Sequence, residues 1–179
     1  TRLAPDPLNG GGMPSRAVPV RWFVAEDPGM RRLMQRGTAA AVPELAHSVH
    51  VEVNGLRPGR DYYYRFACDG DEESAVGHFR TAPLLDTQLQ QLRLALCTCQ
   101  AWNSGYYPVL RDIAKSDVDL VLHAGDYLYE YSPLQNARGR ALDAERFSGE
   151  TVSLERYRDQ YALYKLDPDL QAAHAAHAF

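Results

Sequence analysis

The chain has 179 residues, of which 19 are Lys or Arg and 23 are Asp or Glu, giving a net charge of −4 and a pI of about 5.8. This balance argues against a nucleic-acid-binding patch and against attraction to anionic lipid, because both need a local excess of basic side chains. Hydrophobic residues make up 45% of the chain, enough for a packed core in one large or two small domains.

No apolar run approaches the roughly 20 residues of a membrane-spanning helix. No basic and apolar leader precedes Thr1, so we expect either a cytosolic chain or one whose leader has been removed. The cysteines Cys68, Cys97 and Cys99 are too few, and odd in number, for a disulfide framework. At least one thiol is therefore free or binds a metal.

Short strands and turns along residues 1–82 predict an immunoglobulin-like or fibronectin-like β-sandwich. The candidate strands cover residues 18–24, 47–53, 62–68 and 76–81, with turns at Asn54-Gly55 and Asp69-Gly70. Tyr62 begins one of these strands, and its position resembles the tyrosine corner, in which a Tyr hydroxyl bonds to backbone a few residues upstream. Residues 83–91 are polar and lack an apolar period, which predicts a linker.

Residues 92–179 predict the first part of an α/β domain. Two buried strands at residues 92–99 and 118–123 flank a helix at residues 107–115, and strand, helix and strand within about 30 residues form a βαβ unit. Because the carboxyl ends of its parallel strands meet at one edge of the sheet, we expect Cys99 and Asp126 to lie close together. Two more helices are predicted, from about residue 153 and from residue 167.

Asp126 is the leading candidate for a metal ligand, since ligands of open α/β sheets gather beyond the carboxyl ends of strands. A carboxylate can bridge two cations, and the phenolate of Tyr129, three residues on, can reach one of them. A Cys99 thiolate suits a trivalent or borderline metal. The alternatives are a simple Gly-Asp turn, a Tyr packed on the core, and a small buried thiol, which is the favoured interpretation of Cys97.

The other polar candidates are weaker. His123, near the end of the second strand, could hydrogen-bond a ligand or a reacting phosphate, or it could be a structural histidine. A loop carries Arg138, Arg140 and Arg146, which could clamp a phosphate, although a solvated charged loop is the favoured interpretation. The chain has no glycine-rich phosphate loop, no Gly-x-Ser-x-Gly elbow and no His-Glu-x-x-His motif.

Several motifs, in order and spacing, resemble those of the PhoD-like alkaline phosphatases over essentially the whole chain. The matching segments are Thr1-Arg-Leu-Ala-Pro-Asp-Pro7, Pro43-Glu-Leu-Ala-His-Ser-Val-His-Val51, Leu56-Arg-Pro-Gly59, Tyr62-Tyr-Tyr-Arg-Phe66, Cys99-Gln100, His123-Ala-Gly-Asp-Tyr-Leu-Tyr-Glu-Tyr131 and residues 157–170. The resemblance implies an immunoglobulin-like domain followed by a calcineurin-like αββα metallophosphatase domain. It also implies a secreted, periplasmic or cell-wall-associated enzyme, expected to be a monomer, that hydrolyses phosphate mono- and diesters with a metal-activated water or hydroxide.

The family's iron, as Fe³⁺, is held by a Cys, an Asp and a Tyr that match Cys99, Asp126 and Tyr129, and Asp126 also bridges to calcium. The family's first strand and its later Asp-Asp-His-Glu segment have no counterpart here. We therefore expect a truncated chain whose remaining ligands lie beyond Phe179 and which is inactive by itself. The alternatives are a fibronectin-like binding or adhesion module without catalysis and another calcineurin-like phosphodiesterase.

Overall fold

The computed structural model describes residues 1–68, 72–135, 140, 142 and 145–179. In the first region, four strands form an antiparallel sheet in the order β2-β1-β3-β4. These strands are β1 (Val18–Ala25), β2 (Leu33–Ala41), β3 (Asp61–Ala67) and β4 (Gly77–Arg80). The predicted strands at residues 18–24, 62–68 and 76–81 are therefore confirmed to within two residues. The predicted Asp69-Gly70 turn lies outside the described residues.

Strand β2 was not predicted, because Ala and Gly residues with low strand propensity dominate its second half. Pairing with β1 holds it in place, in a ladder from Val18 opposite Ala41 to Ala25 opposite Leu33. A Cβ on Gly37 would lie 2.6 Å from the Trp22 ring. The glycine therefore makes room for an indole that packs across the neighbouring strand.

The prediction of a strand at residues 47–53 is wrong, because this segment does not pair along its length with another strand in the described part of the chain. In this segment Ser48 forms an isolated bridge with Arg2, and His47, just before it, has a positive φ of 55°. Val49 is nevertheless buried, and it packs with Val20 and Ala41. The alternating pattern thus predicted the burial of this segment correctly but not its pairing.

Tyr62 makes the hydrogen bond that its position predicted. Its side chain is fully buried, and its hydroxyl accepts a hydrogen bond from the backbone N–H of Arg57 at 3.0 Å. The bond closes the turn that leads into β3. It also satisfies a backbone donor that the turn would otherwise leave without a partner.

In the second region, β5 (Leu94–Cys97) and β6 (Leu120–His123) form a parallel pair. The helices are α1 (Pro108–Lys115), α2 (Leu154–Lys165) and α3 (Pro168–Ala176). This confirms the βαβ unit and both later helices. Asp167 caps α3 by accepting hydrogen bonds from the backbone N–H groups of Asp169 and Leu170 at 3.0 and 3.1 Å. None of the helices in the described part of the chain has the length and apolarity that crossing a membrane requires.

The core of this region lies on one side of the β5–β6 pair. It is built from the buried side chains of Trp102, Tyr107, Leu110, Ile113, Val121, Phe147, Leu163, Tyr164, Leu170 and Ala173. On the opposite face Leu94, Leu96 and Leu122 are 48%, 72% and 43% exposed. The predicted burial of both strands therefore holds for one face and is wrong for the other, which no residue in the described part of the chain covers.

The sequence suggested a solvated charged loop around Arg140, and for this residue the suggestion is wrong. Its side chain is 5% exposed and lies 2.6 Å from Asp167, whose side chain is 0% exposed. The guanidinium also lies over the rings of Trp102, Tyr106 and Tyr107, at 5.0, 4.6 and 4.7 Å from their centres. Arg146 pairs with Asp159 and Asn9, whereas Arg138 lies outside the described residues.

Polar contacts join the two regions. In β4 the ring of His78 bonds through Nδ1 to the Ala176 carbonyl of α3 at 2.9 Å, and through Nε2 to Asp61 at 3.0 Å. Arg80 lies 3.7 Å from Asp119. These contacts fix the carboxyl end of α3 against the antiparallel sheet.

Candidate metal centre

The candidate centre lies where the chain leaves β5 and β6. The prediction that Cys99 is the last residue of its strand is wrong. Strand β5 ends at Cys97, and Cys99 lies two residues beyond that end. Two backbone hydrogen bonds continue across the gap, from the N–H of Cys99 to Gly125 and from the N–H of Gln100 to Asp126, both at 3.1 Å. The two strand ends are therefore tied together directly through their main chains.

Cys99 and Asp126 both adopt the left-handed backbone conformation, with φ of 56° and 52°. This conformation is uncommon for residues other than glycine, and it is rarer for Cys than for Asp. Strained backbone of this kind persists only where the surroundings hold it, and it clusters at functional sites. On an extended strand the side chains of Cys97 and Cys99 would lie on the same face. The turn at Cys99 breaks that extended backbone.

Two of the three candidate ligands converge on one oxygen atom of the third. Oδ2 of Asp126 lies 3.3 Å from the Cys99 thiol sulphur and 3.3 Å from the Tyr129 hydroxyl. Cys99 and Asp126 are exposed, and Tyr129 is half-buried. Within residues 1–68, 72–135, 140, 142 and 145–179 no three His, Cys, Asp or Glu side chains form a metal-binding group, so the Tyr is needed for a third donor.

The surroundings of Tyr129 favour its neutral phenol. Burial raises the pKa of its phenol, and the hydrogen bond with Cys99 and the charge of Asp126 raise it further. All of these influences favour the neutral phenol. A cation held between the three groups would act in the opposite sense and favour phenolate and thiolate, as metals do with their ligands. The donor set therefore fits a trivalent or borderline metal.

His123 lies behind this cluster. Its ring packs 5.1 Å from the ring of Tyr127, and its Nε2 is buried without a hydrogen-bond partner among the described residues. Burial lowers the pKa of His123, and the negative charge of Asp126 partly opposes that shift. We find no hydrogen bond from this ring to Cys99, Asp126 or Tyr129 in the described part of the chain, so a supporting role for His123 stays a prediction.

The structure adds positioning residues that the sequence did not reveal. Thr98 lies with its hydroxyl 3.3 Å from the Cys99 sulphur and donates to the Gly125 carbonyl at 3.2 Å. Gln160, fully buried on α2, donates to the carbonyls of Tyr129 and Tyr131. Gln160 lies four residues before the buried Tyr164 on α2, a helical spacing that was the available signal for its inward position.

Cys97 behaves as the small apolar side chain that the sequence favoured. Its side chain is half-buried against the core, and its sulphur lies 3.8 Å from the Leu122 carbonyl. Burial raises the pKa of this thiol, which keeps it protonated. The two cysteines of the Cys97-Thr-Cys99 segment therefore differ: one packs against the core and the other faces the candidate centre.

Comparison with known proteins identifies the family of the chain. The family model of the PhoD-like phosphatase N-terminal domain matches residues 1–83, and that of the PhoD-like phosphatase matches residues 94–179. Alkaline phosphatase D of Bacillus subtilis (strain 168) is 48% identical over 176 residues, which are 98% of this chain and 30% of the relative. A solved structure described as "Structure of PhoD" superposes with a TM-score of 0.92 at 47% identity, covering 99% of this chain and 34% of that one.

The chain thus spans about a third of the length of the relatives it matches. The structural match confirms a mixed fold of sheet and helix. The motifs from Thr1 to Leu170 predicted this relationship, and the two family models together cover nearly all residues. The chain belongs to the PhoD-like phosphatase family.

Proposed function

We propose that this chain provides the amino-terminal part of a metal-dependent phosphatase that hydrolyses phosphate mono- and diesters. The observation that carries the proposal is the convergence of Cys99 and Tyr129 on one carboxylate oxygen of Asp126. The family membership supplies the chemistry, since a relative is an alkaline phosphatase. Three donors leave a metal centre incomplete, so we expect the 179 residues alone to turn over little or no substrate.

The proposed Fe³⁺ ligands are Cys99, Asp126 and Tyr129, and calcium would share the Asp126 carboxylate. Bound cations of this kind bind phosphate oxygens, neutralise developing charge and activate water. The protein's own contribution is placement: Thr98 orients the thiol, Gln160 holds the backbone at Tyr129, and the left-handed turn aims Asp126 outward. His123 would support the centre from the Tyr127 side.

For the architecture we infer an immunoglobulin-like sandwich at residues 1–82, a linker at residues 83–91 and part of a calcineurin-like domain at residues 92–179. The tyrosine-corner bond of Tyr62 supports the first assignment. The parallel β5–β6 pair, with ligands beyond its carboxyl ends, supports the second. From the family alone we also infer a monomer that works outside the cytoplasm.

Metal analysis of the chain and two cysteine variants tests the proposed ligands. We expect the parent chain, loaded with Fe³⁺, to retain iron and to absorb visible light through phenolate and thiolate ligation. Cys99→Ala should lose most of both signals. Cys97→Ala is the matched control, because Cys97 packs against the core two residues away, and it should retain both signals.

Iron retained by Cys99→Ala, or lost equally from both variants, would reject Cys99 as a ligand. A parent chain that binds no iron would favour the non-catalytic binding module instead. Robust turnover of p-nitrophenyl phosphate by the 179 residues would contradict the expectation that a complete centre needs further ligands.

A further inference from the structure

A cleft of about 590 Å³ lies between α2 and the turn that follows β2. Its volume is within the range of small-molecule sites. Its walls are apolar and aromatic at Leu45, Leu128, Tyr157 and Tyr161, and basic at Arg2, Arg158 and Lys165. None of the described residues that line it is an Asp or a Glu. The cleft is therefore positively charged, although the whole chain has a net charge of −4.

The three cations of the cleft have no carboxylate partner in the described part of the chain. Arg2 donates to the Ala46 carbonyl at 3.0 Å, and Arg158 donates to the Glu44 carbonyl at 2.5 Å. Both bonds hold a guanidinium in place without neutralising it. A positioned cation that lacks a counter-charge is suited to receive an anion.

Lys165 is the third cation of the cleft. It is half-buried, and its ammonium nitrogen lies 6.0 Å from the centre of the Tyr127 ring. Burial lowers the pKa of Lys165, and burial together with the charge of Arg158 also lowers that of Arg2. The negative charge of Asp159 partly opposes this shift at Arg2. That carboxylate is already bonded to Arg146 and to the Gly10 N–H.

One short segment, residues 126–129, contributes both to the cleft wall and to the candidate centre. Leu128 lines the cleft and directly precedes Tyr129, and it lies two residues after Asp126. Tyr161, on the cleft wall, stacks on Tyr127 with 5.7 Å between ring centres. Two residues span at most about 7 Å of chain, so Leu128 at the cleft wall lies within about that distance of Asp126.

We propose that this cleft binds a phosphate group of the substrate other than the one that reacts. That the bound anion is a phosphate follows from the proposed phosphatase function. That the cleft is cationic follows from its lining residues and their contacts. Guanidinium groups donate paired hydrogen bonds that match phosphate oxygens, and Tyr161 and Leu128 offer surface for the part of the substrate that joins two phosphates. The preferred substrates are then esters with at least two phosphate groups.

Phosphate binding to the metal-free chain tests the site without any catalysis. The full 179-residue chain is titrated with inorganic phosphate in the presence of a chelator, and binding is followed by calorimetry and by amide NMR shifts. We expect Lys165→Gln and Arg158→Gln each to weaken binding about tenfold, the effect of losing one charge-assisted hydrogen bond. Lys115→Gln and Arg36→Gln, exposed on α1 and β2, are the matched controls and should bind as the parent does.

The absence of saturable phosphate binding by the parent chain would overturn the site. So would unchanged affinity in both Lys165→Gln and Arg158→Gln, provided that thermal unfolding shows them folded; if either fails to fold, Lys165→Arg, which keeps the charge, must retain binding. Displacement of phosphate by an equal concentration of succinate would overturn the phosphate assignment in favour of a general anion site.

Activity in a protein of the relatives' length that carries these residues tests the link to the substrate. Lys165→Gln should change the ratio of kcat/KM for p-nitrophenyl phosphate to that for a two-phosphate ester about tenfold, in favour of the former, whereas Lys115→Gln should not change it. An unchanged ratio in Lys165→Gln would overturn the substrate assignment. If the parent protein hydrolyses neither ester, the proposed function fails, whereas the phosphate titration still decides the site.

Discussion

Replacing Arg140 with alanine should destabilise the fold by about 3–5 kcal/mol, the usual cost of removing one partner from a buried ion pair. The guanidinium is 5% exposed, and the Asp167 carboxylate it faces is 0% exposed. Among the described residues, the donors that this carboxylate keeps without Arg140 are the two backbone N–H groups of the α3 cap, from Asp169 and Leu170. The loss is a large fraction of the 5–15 kcal/mol that usually stabilises a folded domain.

Urea unfolding of the chain, followed by circular dichroism, measures this free energy. Arg111→Ala is the matched control, because Arg111 also pairs with an acidic residue of α3, Asp169, through two hydrogen bonds at 2.8 and 2.9 Å. Its side chain is 57% exposed, so its removal should cost about 1 kcal/mol or less. The expected difference between the two arginine variants is thus at least about 2 kcal/mol.

A double variant separates the unpaired charge from the lost packing. Arg140→Met with Asp167→Asn removes both charges and keeps a side chain able to cap α3, since Asn caps as well as Asp. It should be more stable than either single variant. If Arg140→Ala costs no more than Arg111→Ala, the reasoning from burial is refuted.

Three further variants test the fold. Burial and the charges of neighbouring basic groups lower the pKa of His174 to about 4, below its unfolded value of about 6.5, so the unfolded chain binds the proton first. Stability should therefore fall as pH drops from about 6.5 to about 4, and His174→Gln should flatten that slope in urea midpoints. Tyr62→Phe removes the acceptor of the Arg57 N–H and should cost about 1–3 kcal/mol in the same assay. Gly37→Ala places a Cβ against Trp22 and should cost about 1–3 kcal/mol through overpacking.

For each of these three predictions, a control variant or a specific result would contradict the reasoning. A pH slope equally steep in His174→Gln would assign it to other groups, and His177→Gln is the neighbouring control. Tyr63→Phe, on the next residue of β3, should change stability less than Tyr62→Phe does. An unchanged midpoint in Gly37→Ala would show that the Trp22 indole can move aside.

The spacing of apolar residues, together with turn and cap residues, predicted the helices and most of the strands. The βαβ unit followed from two apolar runs and a helix with Pro108 in its first turn, and the strand-end rule brought Cys99 and Asp126 together. The left-handed turn at Cys99 could not be predicted, because no preference of Cys favours it. The burial of Arg140 depends on Asp167, 27 residues further along the chain, and a pairing at that distance leaves no local pattern.

The same limit applies to the candidate site. Its ligand types were readable from residue identity, but the contacts of Thr98 and Gln160 are with backbone carbonyls. Which carbonyl lies opposite a polar side chain is determined by the fold. The sequence therefore predicted that Cys99 and Asp126 lie close together, which the structure confirms, but it did not reveal the contacts of Thr98 and Gln160.

The backbone bonds beyond β5 and β6 mean that the spacing of the proposed ligands Cys99 and Asp126 is preorganised. The main chains of residues 99–100 and 125–126 are bonded to each other, so folding of the sheet already brings the thiol and the carboxylate together. A cation binding there orders few additional atoms, and preorganisation of that kind strengthens affinity by lowering the entropy lost on binding. Amide hydrogen exchange at Cys99 and Gln100 should accordingly be slow before any cation is added, because the frame of the site belongs to the sheet.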